Sequence, residues 1–532
     1  MGATSEAIYL IGCGPERQGA GAVGELGFKA YNLARMARLG VPVPAAFVLG
    51  TSWCRSFYER AGELPPGARE QLLAALHHLE AASGLSFASP RRPLLVSVRS
   101  GAPVSMPGML ETVLDVGLCD STVSGLLRLT GNPRLVWDSY RRLIENYAEI
   151  VAGQERAAFA EATQGALAAA AATSLKELDF RALRALAYRE LEIYRAAAGH
   201  PFPQSPIEQL EGAVAAVFRS WDAAKARFYR DAHGIDASLG TAVTVQRMVF
   251  GNAGGTSGAG VGFTRNPATG RAELYLDYAP NAQGEDVVSG RTELDEPALD
   301  RLPEHIAEEL AELSILLERD FGDAQEFEFT VQNGELFVLQ TRDAKRTPLA
   351  ALRIAVELAE AGIITGTQAR ARAAELAPDR LDTFELAAAA STEPLATGIP
   401  ASVGVATGAA VCDANRAIER SQAGDAVILV REDVSTSDIA ALEVSAGLLA
   451  CRGARTAHAA VVARQLGKVC IIGCKELSID ADKGAMRFGS RRIAEGELLT
   501  LDADTGRVYQ GVLAVARRRP EELLAKLASL PA

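Results

Sequence analysis

The sequence predicts a multidomain protein that combines α/β and α+β units, on three observations. Its 532 residues exceed what one hydrophobic core organises, so three or four compact units are expected. Near residue 241 the apolar pattern changes from helical to strand-like periodicity. A charge-poor stretch around residue 392 then sets off a second region in which short apolar strands alternate with helices.

Within residues 1–345, apolar runs at Ile8–Ile11 and Leu94–Val98 flank an amphipathic helix at Phe28–Leu39, which Gly40 and Pro42 terminate. Residues 120–235 form a helical part, where "RALRALAYRELEIYRAAAG" places apolar residues at helical spacing. From residue 241 the chain reads "TAVTVQRMVF", a glycine-rich segment, "AELYLDY" and "EFEFTVQNGELFVLQTR", all strand-like. Residues 346–392 hold the helix "LAALRIAVELAEAG" and the start of a linker, "ELAAAASTEPLATGIPAS". Residues 393–512 form a compact unit with strands "AVILV", "GLLAC", "KVCIIG" and "ELLTLD"; residues 513–532 form a C-terminal helical tail.

Charge narrows the function classes. A net charge of -12 argues against a protein that coats nucleic acid, while leaving room for a local basic phosphate pocket. The 7 cysteines lack a paired framework, which fits a reducing compartment, and Cys470 and Cys474 lack the partners of a zinc site. No run approaches the ~20 apolar residues of a membrane span, and the N-terminus lacks a basic segment ahead of an apolar one. A cytoplasmic protein is expected.

Two glycine-rich segments invite a nucleotide reading. "GAGAVG", residues 19–24, matches a dinucleotide fingerprint, but the strand "IYLIG" ends too early and no acidic residue follows at the ribose position. "FGNAGGTSGAGVGFTRNP", residues 250–267, lacks P-loop order, yet its glycines, Gly254, Gly255 and Gly258 among them, allow backbone N–H groups to approach anionic oxygens. With Arg265 following, a phosphate-covering loop is the better reading than a plain flexible hairpin.

In "EFEFT" a period of two puts Glu326 and Glu328 on one face and Phe327 and Phe329 on the other. Two carboxylates beside a phosphate loop suit a Mg²⁺–nucleotide complex better than a solvated hairpin face. The turn decides what faces them. A two-residue Asn333-Gly334 turn pairs Glu328 with Leu339 and sends Gln340 and Arg342 away; a three-residue loop with a bulge pairs Glu328 with Gln340 and Glu326 with Arg342. The second register is expected, because only it assembles a polar site. Lys29 and Arg99 each border an apolar run, and Arg99 leads into the small-residue turn "SGAPVSMPG".

"CRGARTAHAAVVARQLGKVCIIG" contains one histidine among small and apolar residues. Thr456 suits an N-cap and Gly467 a helix end, so His458 is expected in a first turn, where the positive helix end favours an anion by roughly 0.3–1 kcal/mol. Gly453, Ala454, Ala457, Ala459 and Ala460 leave the ring accessible. A histidine that carries a phosphoryl group needs exposure and a partner, not a triad. A structural histidine is the plain alternative; the linker before it and the nucleotide-type site upstream favour the carrier.

Together these segments, with "GFKAYNLARMARLGVPVPAAF", "PLLVSVRSGAPVSMPGMLETVLDVGL" and "RGARTAHAAVVARQLGK", resemble the pyruvate, phosphate dikinase family along nearly the whole chain. The resemblance implies an ATP-grasp nucleotide-binding region over 1–345, with the helical part inserted, and a swivelling phosphohistidine domain over 393–512. It implies that Lys29, Arg99, Gln340 and Arg342 bind ATP, that Glu326 and Glu328 hold Mg²⁺, and that His458 takes phosphate from ATP, releasing AMP and, with inorganic phosphate, pyrophosphate. Thr456 matches a threonine that a regulatory protein phosphorylates in some members, and homodimers are implied. Arg455 stands where the family has methionine, and Glu326 where it has aspartate. The family's pyruvate/phosphoenolpyruvate barrel has no counterpart in this sequence, so a pyruvate acceptor on a separate chain is expected. Transfer to a different acceptor and a catalytically inactive nucleotide-sensing protein are the competing readings.

Overall fold

The computed structural model describes every residue except 1–6, 14–20, 105, 107–108, 289–300, 388–391, 454, 456–457, 481–484 and 532. It divides into two units: Met1–Gly255 with Phe337–Gln340, and Thr256–Leu336 with Thr341–Ala532.

The first unit holds a five-stranded antiparallel sheet in the order Ile8–Ile11, Ala46–Leu49, Ala242–Arg247, Val96–Gly101, Thr112–Val116. β-branched and aromatic residues line these strands, and Phe47, Val98, Val243 and Val245 are fully buried. The stretch 120–235 is helical, with helices at Asp120–Thr130, Pro133–Ile150, Ala157–Ala169, Phe180–Ala198, Pro206–Ser220 and Ala224–His233. Asn132 starts the second of them by accepting from the Leu135 N–H at 3.1 Å, with Pro133 at the first helical position. Its face Leu135, Tyr140, Leu143, Ile144 and Tyr147 is buried, each side chain contributing roughly 1.5–3 kcal/mol.

A charged group sits inside this helical layer. Arg141, 4% exposed, bridges Glu145 at 2.7 Å and Asp138 at 3.3 Å, with Glu190 at 3.9 Å. Burial first, then the Glu145 charge, push the Glu190 carboxyl up to about 10. Glu190 is therefore neutral in the fold and ionised in the unfolded chain at pH 7. The stability it contributes is present below about pH 4.5 and is lost as pH rises toward 10. Glu190→Gln is expected to flatten this dependence and to raise stability at pH 8 by about 2 kcal/mol, read by urea unfolding across pH.

A four-stranded sheet, ordered Glu335–Asp343, Gln325–Gln332, Gly258–Phe263, Tyr275–Pro280, belongs to the second unit except for Phe337–Gln340 of its edge strand. The second unit also contains an eight-stranded mixed sheet. The middle of that sheet is parallel, with Val405–Val411, Val427–Arg431, Gly447–Ala450 and Val469–Ile472 side by side. Helices Ala414–Gln422, Ile439–Val444 and His458–Leu466 supply the crossovers that parallel pairing requires. Gly447–Ala450 and Val469–Ile472 are buried throughout, which is why they read as continuous apolar runs. Where the linker begins, Thr383–Leu386 pairs with Val515–Arg518, so the expected helical tail is a strand there and helical only at Glu521–Ser529. All seven cysteines are free thiols, and among the described residues no helix is long and apolar enough to cross a membrane.

Candidate active site

In the first unit Lys29 is exposed on helix Val23–Arg38, and Arg99 is on strand Val96–Gly101. The backbone clamps these segments together two residues from each. Gly27 has φ 74° inside the helix, and a Cβ there would stand 1.9 Å from the Gly101 carbonyl oxygen; next to it the Phe28 N–H donates to Ala102 O at 2.9 Å. Only glycine accepts both the dihedral and the approach. Gly27→Ala is expected to cost about 2 kcal/mol or more in urea unfolding and to loosen Lys29 from Arg99.

Arg99 Nη1 donates to Gln246 Oε1 at 3.4 Å, and Gln246 Nε2 donates to Pro44 O at 3.3 Å. Gln246 was not singled out from sequence, although a lone amide in the apolar strand "AVTVQR" is the kind of signal that marks such a support.

Gly254, with φ 148°, and Gly255 lie in a turn as expected. From Gly258 onward, however, the glycine-rich segment is a strand. Where side chains would stand on Gly258, Gly260 and Gly262 there are instead the rings of Tyr278, Phe329 and Phe327. The expected phosphate contact at Gly258 is corrected to ring packing. Arg265 is corrected too: it is 6% exposed, with Nε donating to Glu318 at 2.9 Å and Nη1 to Glu357. Its guanidinium is consumed by carboxylates and holds the helices Glu304–Phe321 and Pro348–Glu360 to the sheet.

Since Phe327 and Phe329 lie against Gly262 and Gly260, Glu326 and Glu328 rise from the opposite face. They pair across the sheet with Phe263 and Val261, which pair in turn with Tyr275 and Asp277. Cross-strand partners share a face, so these six residues do. The turn differs from the expectation. Asn333 and Gly334 have φ 53° and 84°, a two-residue turn of type I′ rather than a three-residue loop. Carried unchanged along the strand, that register would send Arg342 away, yet Arg342 Nη2 lies 2.5 Å from Glu326 Oε1. Burial along the strand runs Leu336, Val338 and then Thr341, a step of three that shifts the phase and returns Arg342 to the acidic face. Gln340 lies half-buried at this shift.

Glu326 is 3% exposed, and its Oε2 is buried with no hydrogen-bond partner. A buried orphan carboxylate oxygen costs stability unless something positive meets it, so the site fits a hard cation. Among the described residues no group of three or more His, Cys, Asp or Glu could hold a metal ion.

His458 opens the helix His458–Leu466, which ends at Gly467 with φ 67°. Thr456 lies outside the described residues. Arg464, fully buried on this helix, donates through Nη1 to Ala401 O at 3.0 Å and to Arg455 O at 2.8 Å. Its guanidinium lies 5.6 Å from the Phe263 ring centre, and that of Arg455 5.3 Å from Tyr275. Both rings belong to the face that bears Glu326 and Glu328, so Arg455, ahead of His458, and Arg464, on the helix His458 opens, each rest there through a cation–π contact. Burial pushes the Tyr275 phenol up to about 12.

Residues 60–308 match the family described as pyruvate phosphate dikinase, AMP/ATP-binding domain, and residues 423–506 the PEP-utilising enzyme, mobile domain. The two matches follow one another in this order along the chain. The chain is 40% identical over 517 residues to a pyruvate, phosphate dikinase of Rhizobium meliloti (strain 1021), covering 95% of this chain and 58% of the relative. It is 41% identical over 490 residues to that of Clostridium symbiosum, covering 91% and 56%, and 40% identical over 516 residues to pyruvate, phosphate dikinase 2 of Zea mays, covering 96% and 58%. The chain thus spans under three-fifths of the length of these relatives. The AMP/ATP-binding domain match takes in Arg99, Gly254 and Gly255, and the mobile domain match takes in His458.

Proposed function

We propose that this chain is a pyruvate, phosphate dikinase-type phosphotransferase running the ATP half-reaction. ATP and inorganic phosphate react at His458 to give phosphohistidine, AMP and pyrophosphate: one phosphoryl group forms a bond to the ring nitrogen, another joins inorganic phosphate, and AMP leaves with the third. In this reading residues 1–345 are an ATP-grasp-like region and residues 393–512 the swivelling carrier. The observation that supports it most is the seating of the His458 segment, through Arg455 and Arg464, on the sheet face that bears Glu326 and Glu328.

Lys29, Arg99, Gln340 and Arg342 bind the nucleotide, with the Gly254-Gly255 turn approaching its phosphates. Glu326 and Glu328 hold Mg²⁺, which when bound neutralises charge on the phosphate oxygens. Glu326 spends one oxygen on Arg342 and keeps the buried one for the ion. His458 is the first residue of its helix, and a phosphoryl group on it is favoured by the positive end of that helix. Thr456, two residues before it, is the regulatory position. In this reading the phosphoryl group then passes to pyruvate bound by residues outside these 532.

Pyrophosphate release measured with and without inorganic phosphate tests the reading. Release that needs ATP, inorganic phosphate and His458 supports it; hydrolysis to ADP and phosphate counts against it.

A further inference from the structure

Past the C-terminal end of the helix that His458 opens, a cavity of about 430 Å³ is lined by Gly467, Lys468 and Val469 together with residues ahead of the mixed sheet. Lys468, directly after the histidine helix, and Arg380, on the turn Pro378–Leu381, both line it. A nine-residue helix separates Lys468 from His458, so the cavity lies about 13 Å along the axis from the histidine.

Charge in this cavity is unbalanced. Burial, and then the Arg380 charge, hold the Lys468 ammonium below its ordinary value, with Glu443 the acidic group that opposes them. Asp382 also lines the cavity, but it is bonded to Arg517 and lies 3.4 Å from Arg519. The helix Pro348–Glu360 presents its first turn here, through Thr347, Pro348 and Leu349. Val403, Val405, Val469 and Val515 form apolar walls. Two cations that repel each other at one opening, over an apolar floor, are the features of a pocket that orients an anion with a hydrophobic body.

We propose that this cavity binds a small organic acid, a phosphate or carboxylate on an apolar body, with Lys468 and Arg380 on the anionic group and the valines against the body. An occupant touches both the linker side, at Thr347 and Arg380, and the carrier side, at Val405 and Lys468. It therefore fixes one orientation of the carrier unit at its root. The proposal does not depend on phosphoryl transfer at His458.

Isothermal titration calorimetry on the full chain at constant ionic strength tests it, with phenyl phosphate, benzoate and, as the neutral control, benzyl alcohol. Wild type is expected to bind at least one of the two anions and to bind benzyl alcohol far more weakly. A preference for phenyl phosphate assigns a phosphate ester, and a preference for benzoate a carboxylate. Lys468→Ala and Arg380→Ala should each weaken binding about tenfold, while Lys468→Arg stays within about threefold. Affinities unchanged in both alanine variants would place the anion elsewhere and overturn the proposal, as would no binding of either anion up to about 10 mM.

Discussion

Glu326→Gln is expected to lower the rate of AMP formation from ATP by roughly 10²-fold or more while leaving the melting temperature unchanged or higher. The two halves of that result have different causes. The carboxylate is almost fully buried, carries Arg342 on one oxygen and has no hydrogen-bond partner for the other. Without nucleotide and metal the unpartnered oxygen is a cost to the fold, which an amide of the same shape reduces by removing its charge, while Arg342, less buried, can turn to solvent. With nucleotide bound, the same oxygen supplies charge to the cation, and loss of one such electrostatic contact costs about 10²–10³ in rate. A residue that only held the hairpin together would show the reverse, a lower melting temperature with unchanged turnover of the folded fraction. Steady-state AMP production and thermal unfolding on the same preparation separate the two.

Arg265→Met is expected to destabilise the protein by about 3–5 kcal/mol, with the KM for ATP unchanged in the fraction that remains folded. Removing the guanidinium strands Glu318, whose side chain is 10% exposed, beside Glu357, at 29%, which keeps only the more distant Arg353 at 3.7 Å. Substituting a buried partner leaves the other charges in a poor environment, which is costlier than never having had the pair. The triple replacement with Glu318→Leu and Glu357→Leu should recover much of the loss, since the shared cost then disappears. Denaturant unfolding reads the first effect, and ATP titration at low temperature reads the second.

Arg265 also shows where sequence reading stops. An arginine following a glycine-rich turn is locally indistinguishable from a phosphate ligand. Its partners lie 53 and 92 residues further along the chain, and only the tertiary fold brings them to it. Gly27 was equally hidden: nothing in "GELGFKAY" reveals that its neighbour in space is Gly101. Features set by local rules were legible. Period-two alternation assigned the two glutamates to one face, because the pleat admits no other arrangement. Gly467 ended the histidine helix because glycine enters the left-handed region at little cost. The hairpin falls between these cases. The pairing of Glu326 with Arg342 was anticipated from the need for a polar site, but through the wrong device. Asn333-Gly334 forms its preferred two-residue turn, and the shift occurs further along the strand.

Arg455 joins the local and the tertiary. As a guanidinium in place of the family's methionine, it was noted in the sequence as a change near the histidine. Its place over Tyr275 gives that change a physical role, as a contact between the residues before His458 and the sheet face of Glu326 and Glu328.

The central claim is that His458 accepts a phosphoryl group from ATP. Intact mass and nucleotide analysis after incubation with ATP and Mg²⁺, with and without inorganic phosphate, test it on wild type and His458→Ala. The account predicts an acid-labile gain of one phosphoryl group with AMP in the products, both absent from the variant. ATP binding with neither phosphoenzyme nor AMP under any of these conditions would contradict it and leave a nucleotide-binding protein without the transfer chemistry.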